Sequence, residues 1–226
     1  MQHVKLVVFD LDGTILNTLA DLAYSVNDAL EKCGFPVHAM EAYKHFVGNG
    51  VNKLLERSLP DNRKTPDDIA RLKALFLACY EVHNMDRTEP YTGVHALLQS
   101  LQSNGFLLAV ASNKYQAATE KLIRRFFPDC SFAAVLGQRE GVPVKPNPAI
   151  VFDILRMTGV SPEETLYIGD SGVDMATAFN SGVTSVGVTW GFRPREELEA
   201  AGACHIADST DDIMRIININ IHTQRT

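Results

Sequence analysis

Two carboxylates stand close together at the end of an apolar run near the N-terminus. In VVFDLDGT, residues 7–14, the apolar stretch leads directly into Asp10 and Asp12. Residues two apart in an extended chain point to the same side, so the two carboxylates can share one site. Their mutual repulsion would be offset by a hard divalent cation that takes oxygen ligands. Taken alone, the pair fits a strand-end turn as well as it fits a site for Mg²⁺.

Other polar residues follow later apolar runs. Ser112 and Asn113 end one run, Lys145 stands in a later loop, and GDSGVD at 169–174 places Asp170 after another run. Ligands of open α/β folds bind beyond the carboxyl ends of the strands, so we expect these side chains to converge on the carboxylate pair. Asp170 would add a metal ligand, Lys145 would balance a dianionic group over the metal, and Ser112 would donate to its oxygens. This set favours the binding of a phosphate group.

The elements that must position these residues alternate along the chain. Several apolar runs are too short for helices and are apolar on both alternating faces, as in strands buried on both sides of a parallel sheet. They are 4–9, 106–112, 132–137, 165–169 and 184–189. Amphipathic helical patterns lie between them at 95–105, 115–126, 147–158, 174–181 and 194–201. This alternation predicts an α/β fold with a doubly wound parallel sheet.

A helical segment interrupts the alternation after the first strand. Residues 18–33 carry apolar side chains at helical spacing, Gly48-Asn49-Gly50 separates two shorter helices at 41–47 and 51–59, and Thr65-Pro66 precedes a helix over about 67–83. The segment is far longer than a crossover needs, so we expect an inserted lobe. The expected domains are an α/β core of residues 1–15 and 86–226 and a small α-helical cap of residues 16–85, with a return hinge over 85–92.

Composition argues against several classes of function. The 226 residues are 46% hydrophobic and carry a formal net charge of −6, which argues against a nucleic-acid-binding surface. The four cysteines show no C-x-x-C spacing, so neither a zinc site nor a redox pair is indicated. No run approaches the ~20 apolar residues of a membrane helix, and Asp10 and Asp12 interrupt the apolar stretch that a signal peptide would need. We expect a cytoplasmic protein without nucleic-acid or membrane partners, and nothing in the sequence indicates its oligomeric state.

The polar motifs occur in the order of a known enzyme family. They resemble the four ordered motifs of the haloacid dehalogenase superfamily of phosphatases, here Asp10-Leu-Asp12-Gly-Thr14, Ser112, Lys145-Pro146 and GDSGVD at 169–174. The helical insertion resembles the subclass that carries an α-helical cap between its first and second motifs. The resemblance spans nearly the whole chain. It implies a Rossmann-like core, Mg²⁺ as cofactor and a small phosphorylated metabolite as substrate.

The resemblance also implies a covalent mechanism for this chain. Asp10 would attack phosphorus and form an aspartyl-phosphate. Asp12 would protonate the leaving oxygen and then deprotonate the water that hydrolyses the intermediate. Ser112 and Lys145 would hold phosphate oxygens and complete the catalytic set.

A metal site is implied by the same motifs. Asp10, the backbone carbonyl of Asp12, and Asp170 would hold Mg²⁺. Asp174 would brace either the metal's waters or Lys145, and it could also simply cap the helix that follows. The candidate metal residues are Asp10, Asp12, Asp170 and Asp174.

The predicted cap suggests which phosphate ester is bound. The cap segments of phosphoglycolate phosphatases are similar to Val47-Gly-Asn-Gly-Val51 with Leu54, Leu55 and Arg57, and that group also resembles this chain at Asp21-Leu22 and Trp190-Gly191. Asn17 departs from the group, which usually has Asp there, and we expect the change to affect the hinge. The resemblance implies 2-phosphoglycolate as substrate. The candidate substrate-binding residues are Thr14, Gly48, Asn49, Gly50, Arg57 and Asn113.

Other functions remain open for the same motifs. A sugar-phosphate phosphatase, an inorganic pyrophosphatase and a phosphohexose mutase of the same superfamily would share the core residues. A non-catalytic phospho-acceptor module would also carry acidic strand ends and a lysine, but such modules lack the D-x-D-G-T motif and the inserted cap. The chain has no G-x-x-x-x-G-K-[ST] loop, so ATP binding is not indicated.

Overall fold

A parallel sheet organises the protein, whose computed structural model describes residues 4–222. Its strands in chain order are β1 (Leu6–Phe9), β2 (Leu16–Asn17), β3 (Glu89–Pro90), β4 (Leu107–Tyr115), β5 (Ala134–Gln138), β6 (Thr165–Gly169), β7 (Thr184–Val188) and β8 (His205–Ala207). The main sheet has six strands in the order β5-β4-β1-β6-β7-β8, and every pairing in it is parallel. β2 and β3 form a separate antiparallel ribbon.

The helices divide between an inserted lobe and the faces of the main sheet. In chain order they are α1 (Leu19–Cys33), α2 (Met40–Phe46), α3 (Val51–Ser58), α4 (Pro66–His83), α5 (Val94–Ser103), α6 (Gln116–Phe126), α7 (Ala149–Thr158), α8 (Gly172–Ser181), α9 (Arg195–Ala200) and α10 (Thr210–His222). Short 3₁₀ turns lie at Asp61–Arg63 and Pro162–Glu164.

Strand β1 is buried on both faces of the sheet, which explains its purely apolar sequence. Val7 and Phe9 pack in a cluster with residues of α5, α6 and α10, whereas Leu6 and Val8 pack in a second cluster with residues of α7 and α8. Successive strand residues point to opposite faces, so the alternation supplies both clusters. The predicted doubly wound α/β fold is confirmed.

The sequence patterns locate most elements but miss the shortest ones. β4 continues past Ser112, where the sequence predicted its end, and reaches Tyr115 with a register irregularity after Ala111. The predicted strand at 132–137 begins later, at Ala134. The ribbon strands, β8 and α10 were not predicted.

Helices α1 to α4 form a lobe with its own hydrophobic cluster, which we call the cap. α1 and α4 pack along each other, and Leu22, Val26, Leu72 and Phe76 lie in this cluster. The Thr65 side chain accepts a hydrogen bond from the Asp68 N–H at 3.1 Å and caps α4. The ribbon of β2 and β3 joins the two segments that lead into and out of the cap. The domain boundaries at 16 and 85 stay a prediction.

A buried carboxylate fixes the return segment of the chain against α1. Asp21 is fully buried and accepts hydrogen bonds from the Arg87 N–H at 3.0 Å and from the Thr88 N–H and hydroxyl, both at 2.8 Å. This contact lies at the predicted hinge. Among residues 4–222, no helix combines the length and the apolar character that a bilayer crossing requires.

Candidate active site

Three carboxylates meet at the carboxyl edge of the main sheet. Asp10 follows β1, Asp170 follows β6, and Asp174 lies in the first turn of α8. One oxygen of each lies within 4.8 Å of the others, and all three side chains are buried. β1 and β6 are hydrogen-bonded neighbours in the sheet, and this pairing brings together residues that are far apart in sequence.

Lys145 supplies a positive charge inside this cluster. Its Nζ lies 2.9 Å from Asp10 Oδ1 and 2.7 Å from Asp174 Oδ1, and it donates to the Tyr167 hydroxyl at 3.0 Å. Burial alone would lower the pKa of Lys145, but the charges of Asp10 and Asp174 outweigh burial and raise it well above its usual value. Lys145 is therefore an ammonium at neutral pH.

One ammonium does not offset the crowding of the carboxylates. Burial, followed by the charge of Asp174, raises the pKa of Asp10 from 3.8 to about 7, although Lys145 acts in the opposite direction. Burial and the charges of Asp174 and Asp10 also raise the pKa of Asp170 well above its ordinary value. A close set of hard oxygen donors with too little positive charge fits a divalent cation such as Mg²⁺.

Two glycines lie so close to Asp170 that a side chain at either position would collide with it. A Cβ on Gly13, whose φ is +86°, would lie 2.2 Å from Asp170 Oδ2, and one on Gly191 would lie 2.2 Å from Asp170 Cβ. The Phe192 N–H donates to Asp170 Oδ2 at 2.7 Å. Backbone from two other segments therefore surrounds this carboxylate, as its predicted role as a metal ligand requires.

Asp174 accepts hydrogen bonds from two different residues, Ser171 and Lys145. Its Oδ2 accepts from the Ser171 N–H at 3.2 Å and from the Ser171 hydroxyl at 2.6 Å, which completes a capping box at the start of α8. Its Oδ1 accepts from Lys145. Both alternatives raised by the sequence, helix cap and brace of Lys145, thus describe contacts of one side chain. Its role as a metal ligand stays a prediction.

Asp12 lies beside the cluster and faces a lysine that the sequence motifs did not single out. Lys114 Nζ lies 2.9 Å from Asp12 Oδ1 and 3.0 Å from Oδ2, and the Thr18 hydroxyl donates to Oδ1 at 2.6 Å. Burial would lower the pKa of Lys114, but Asp12 raises it above the usual value. The one available signal was that Lys114 directly follows Ser112 and Asn113.

The predicted phosphate-side residues surround Asp10 in different ways. Ser112 is buried beside the cluster, and its Oγ accepts from the Lys114 N–H at 3.2 Å. Asn113 accepts from the Lys145 N–H at 2.8 Å and donates to the Gly48 carbonyl at 3.0 Å, so it links the core to the cap. Among the described residues, the buried Thr14 hydroxyl has no hydrogen-bond partner.

A cavity lies between these residues and the cap. Its lining includes Asp10, Asp12 and Lys114 from the core and Gly48 and Gly50 from the cap. The structure thus brings two of the predicted cap residues to the site.

Asn49 and Arg57, also predicted to bind substrate, are engaged with each other. Arg57 donates to Asn49 Oδ1 at 2.8 Å and to the Phe46 carbonyl at 3.0 Å. These contacts hold the loop that contains Gly48 and Gly50. Direct substrate contact by Asn49 and Arg57 stays a prediction.

Comparison with known proteins supports this assignment of the motifs. A family model for haloacid dehalogenase-like hydrolases matches residues 7–188. A phosphoglycolate phosphatase of Mannheimia succiniciproducens is 32% identical over 219 residues, which is 94% of this chain and 98% of that protein. One from Pasteurella multocida is 33% identical over 96% of this chain and its own full length. The crystal structure of a candidate phosphoglycolate phosphatase from Lactobacillus delbrueckii subsp. bulgaricus superposes with a TM-score of 0.90 at 32% identity, covering 96% of this chain and 99% of that one. From motifs, fold and relatives together, this chain belongs to the haloacid dehalogenase-like hydrolase family.

Proposed function

We propose that the protein is a cytoplasmic, Mg²⁺-dependent phosphatase that hydrolyses 2-phosphoglycolate. The observation that carries the proposal is the position of Asp10, which lies between Lys145 and the other carboxylates on the floor of the cavity under the cap. A carboxylate held in this way is suited to attack phosphorus. The family and the named activity of the relatives support the choice of a small phosphate monoester.

In the proposed first step, Asp10 attacks phosphorus and forms an aspartyl-phosphate. Lys145, 2.9 Å from Asp10 Oδ1, favours the charged form of the nucleophile and lies where it can hold a phosphoryl oxygen. The Ser112 hydroxyl would donate to another oxygen. Positioning and charge stabilisation of this kind supply most of the catalysis in phosphoryl transfer.

Asp12 handles the protons in both steps. It protonates the leaving oxygen as the ester breaks, and it then takes a proton from the water that hydrolyses the aspartyl-phosphate. Its contacts with Thr18 and Lys114 fix its orientation. Thr18 immediately precedes α1, so the position of the cap is linked to that of Asp12.

Mg²⁺ would be held by Asp10, Asp170 and the backbone carbonyl of Asp12. When bound, it would neutralise charge that develops on the phosphoryl oxygens. Asp174 would hold Lys145 in place. The raised pKa values of Asp10 and Asp170 support this site, because a divalent cation removes the repulsion that causes part of the rise.

The size of the leaving group is set by the cap. Gly48 and Gly50 have φ values of +119° and +82°, a conformation that favours glycine and lets backbone N–H groups approach a ligand closely. The Gly48 carbonyl is bonded to Asn113 of the core, which holds the loop over the site. A small acid such as the glycolate moiety suits the space between the cap and Asp10.

Phosphate release from a panel of esters tests the proposal. The panel contains 2-phosphoglycolate, glucose 6-phosphate, β-glucose 1-phosphate and pyrophosphate, each measured with Mg²⁺ and with excess EDTA. We expect the highest kcat/KM on 2-phosphoglycolate, loss of activity in EDTA, and no turnover by Asp10→Asn. Faster release from a sugar phosphate or pyrophosphate would replace the substrate. Sugar-phosphate isomerisation with little phosphate release would indicate a mutase, and full activity of Asp10→Asn would remove the nucleophile assignment.

A further inference from the structure

A buried lysine lines the cavity beside Asp12. The Lys114 side chain is only 4% exposed, and its Nζ contacts both oxygens of Asp12. Among the described residues that line the cavity, it is the one cation. The cap side of the same cavity is mainly apolar and includes Leu22, Val51 and Leu54.

Binding a charged leaving group against an apolar wall is unfavourable in free energy unless an oppositely charged group pairs with it. Transferring a carboxylate from water into such a cavity is unfavourable unless the group is paired and hydrogen-bonded. Tyr80 also lines the cavity, and its buried hydroxyl lies next to Lys114. Lys114 Nζ lies 5.0 Å from the centre of the Tyr80 ring. An ammonium and a buried hydroxyl therefore lie together in this apolar space.

We propose that Lys114 is the residue that selects esters with a carboxylate next to the ester oxygen. This inference rests on the proposed function, in which Asp12 touches the leaving oxygen. In 2-phosphoglycolate a single methylene separates that oxygen from the carboxylate, so the carboxylate comes within reach of a group 2.9 Å from Asp12. An ammonium has three donors, which lets Lys114 hold the substrate carboxylate while it stays bonded to Asp12.

Two nearby arginines, Arg57 and Arg193, are not among the described residues that line the cavity. Arg57 donates to Asn49 and to carbonyls at the end of α2. Arg193 donates to the Val47 carbonyl at 2.8 Å and pairs with Glu197. Neither side chain lines the cavity among the described residues. Lys114 is therefore the group available to meet a charge on the leaving group.

A matched pair of substrates isolates this role from a structural one. 2-Phosphoglycolate and ethylene glycol monophosphate present the same phosphate ester, but the second carries a neutral hydroxymethyl group in place of the carboxylate. We expect Lys114→Met to lower the preference for 2-phosphoglycolate, measured as the ratio of the two kcat/KM values, by about 10- to 100-fold, the range of a charge-assisted hydrogen bond. A ratio within one preparation does not depend on the folded fraction. Lys53→Met, which removes an exposed lysine of α3 paired with Glu56, should keep the wild-type ratio.

An equal loss on both substrates would overturn the inference, because a lysine that only orients Asp12 serves every ester alike. Lys114→Arg keeps the charge and should retain most of the preference. If Lys114→Met turns over neither ester, calorimetric binding of the two esters with Mg²⁺ to Asp10→Asn and to Asp10→Asn/Lys114→Met gives the same comparison. Unchanged binding of 2-phosphoglycolate would then contradict the inference. A wild-type enzyme that does not prefer 2-phosphoglycolate would overturn the proposed substrate and this inference with it, whereas a preference that survives in Lys114→Met overturns the inference alone.

Discussion

At the scale of single residues, Asp10 is subject to opposing demands. A carboxylate that attacks phosphorus must be charged, whereas burial and the neighbouring Asp174 favour its neutral form and raise its pKa to about 7. Lys145 opposes this rise at 2.9 Å. A bound cation would complete the compensation, so the protonation of Asp10 and the binding of Mg²⁺ are linked.

This linkage predicts a pH-dependent effect of Mg²⁺ on stability. In the metal-free protein the pKa of Asp10 is raised from 3.8 to about 7, so its contribution to stability is fully present below pH 3.8 and is lost as the pH rises through about 7. Mg²⁺ must displace the proton at low pH. We expect the apparent affinity for Mg²⁺ to be about tenfold lower at about pH 6 than at about pH 8. The rise in Tm on adding Mg²⁺ should therefore be a few degrees smaller at the lower pH than at the higher one.

Thermal unfolding with and without Mg²⁺ at the two pH values measures this effect. Asp10→Asn, which has no titratable group at this position, is the control and should show a smaller difference between the two pH values, the remainder coming from Asp170. An equal shift for the wild-type protein at both pH values would contradict the prediction.

The packing of Gly13 against Asp170 gives a second prediction at this scale. Gly13 and Gly105 have nearly equal φ values of +86° and +84°, but a Cβ on Gly13 would lie 2.2 Å from Asp170 Oδ2, whereas one on Gly105 would meet nothing within 4 Å. We expect Gly105→Ala to lower the free energy of unfolding by about 1 kcal/mol through its backbone alone. Gly13→Ala should lower the free energy of unfolding by more, because its Cβ would also collide with Asp170. It should weaken Mg²⁺ binding at least ~10-fold by displacing that carboxylate.

Urea unfolding measures the loss of stability, and calorimetric titration with Mg²⁺ measures the loss of metal affinity. Wild-type Mg²⁺ affinity in Gly13→Ala would show that the position of Asp170 does not depend on this glycine.

At the scale of elements, a strand could be predicted from the sequence when its apolar run was long enough to show a pattern. β1 and β6 were recognisable because both faces of each are buried, which leaves an uninterrupted apolar run. β2 and β3 have two residues each, too few for any period, and they exist through their pairing with each other. The core motifs located Asp10, Asp170 and Lys145 because their order along the chain is distinctive.

Contacts between segments that are distant in the sequence could not be predicted from any local pattern. Lys114 and Asp12 are separated by 102 positions, and nothing local to either residue indicates the pairing. β4 had to extend beyond Ser112 before Lys114 became part of a strand, and an isolated sequence run does not show that extension. The same holds for Arg57, whose contacts with Asn49 and with the carbonyls at the end of α2 depend on how α2 and α3 pack.

The loop between α2 and α3 supports a prediction about cap closure. Arg193 of the core donates to the Val47 carbonyl at 2.8 Å and so holds this loop to the core. We expect Arg193→Met to raise the KM for 2-phosphoglycolate roughly tenfold, equivalent to about 1.4 kcal/mol, and to speed amide hydrogen exchange over residues 47–50. Lys121→Met breaks another core-to-cap contact, the Lys121–Glu81 pair, which is largely exposed and worth about 0–1 kcal/mol.

Lys121→Met is the control and should leave both quantities near their wild-type values. Because the charge of Arg193 also lowers the pKa of Asp170, lost activity with unchanged exchange over 47–50 would assign Arg193 to the metal site instead of to closure.

At the scale of the whole molecule, cap and core have separate hydrophobic clusters but share particular side chains. The cap cluster contains Phe192, which belongs to the core loop after β7. The Phe192 N–H also binds Asp170. One residue therefore packs against the cap with its ring and against the metal-site carboxylate with its backbone. Its loss should affect the coupling of the two lobes as well as stability.

Phe192→Ala tests how strongly the cap and the core unfold together. Removing a buried phenylalanine costs about 3–5 kcal/mol when the site cannot collapse, and here the cavity would open at the junction of the two lobes, where Phe192 is only 8% exposed. We expect calorimetry to show a lower Tm and a cap transition that precedes that of the core. Phe179→Ala is the matched control, because Phe179 is 84% exposed and its removal should change the free energy of unfolding by no more than about 0.5 kcal/mol. A single cooperative transition in Phe192→Ala, with a stability close to that of Phe179→Ala, would mean that the lobes are held together by the hinge at Asp21 and by the polar contacts of Asn113 and Arg193.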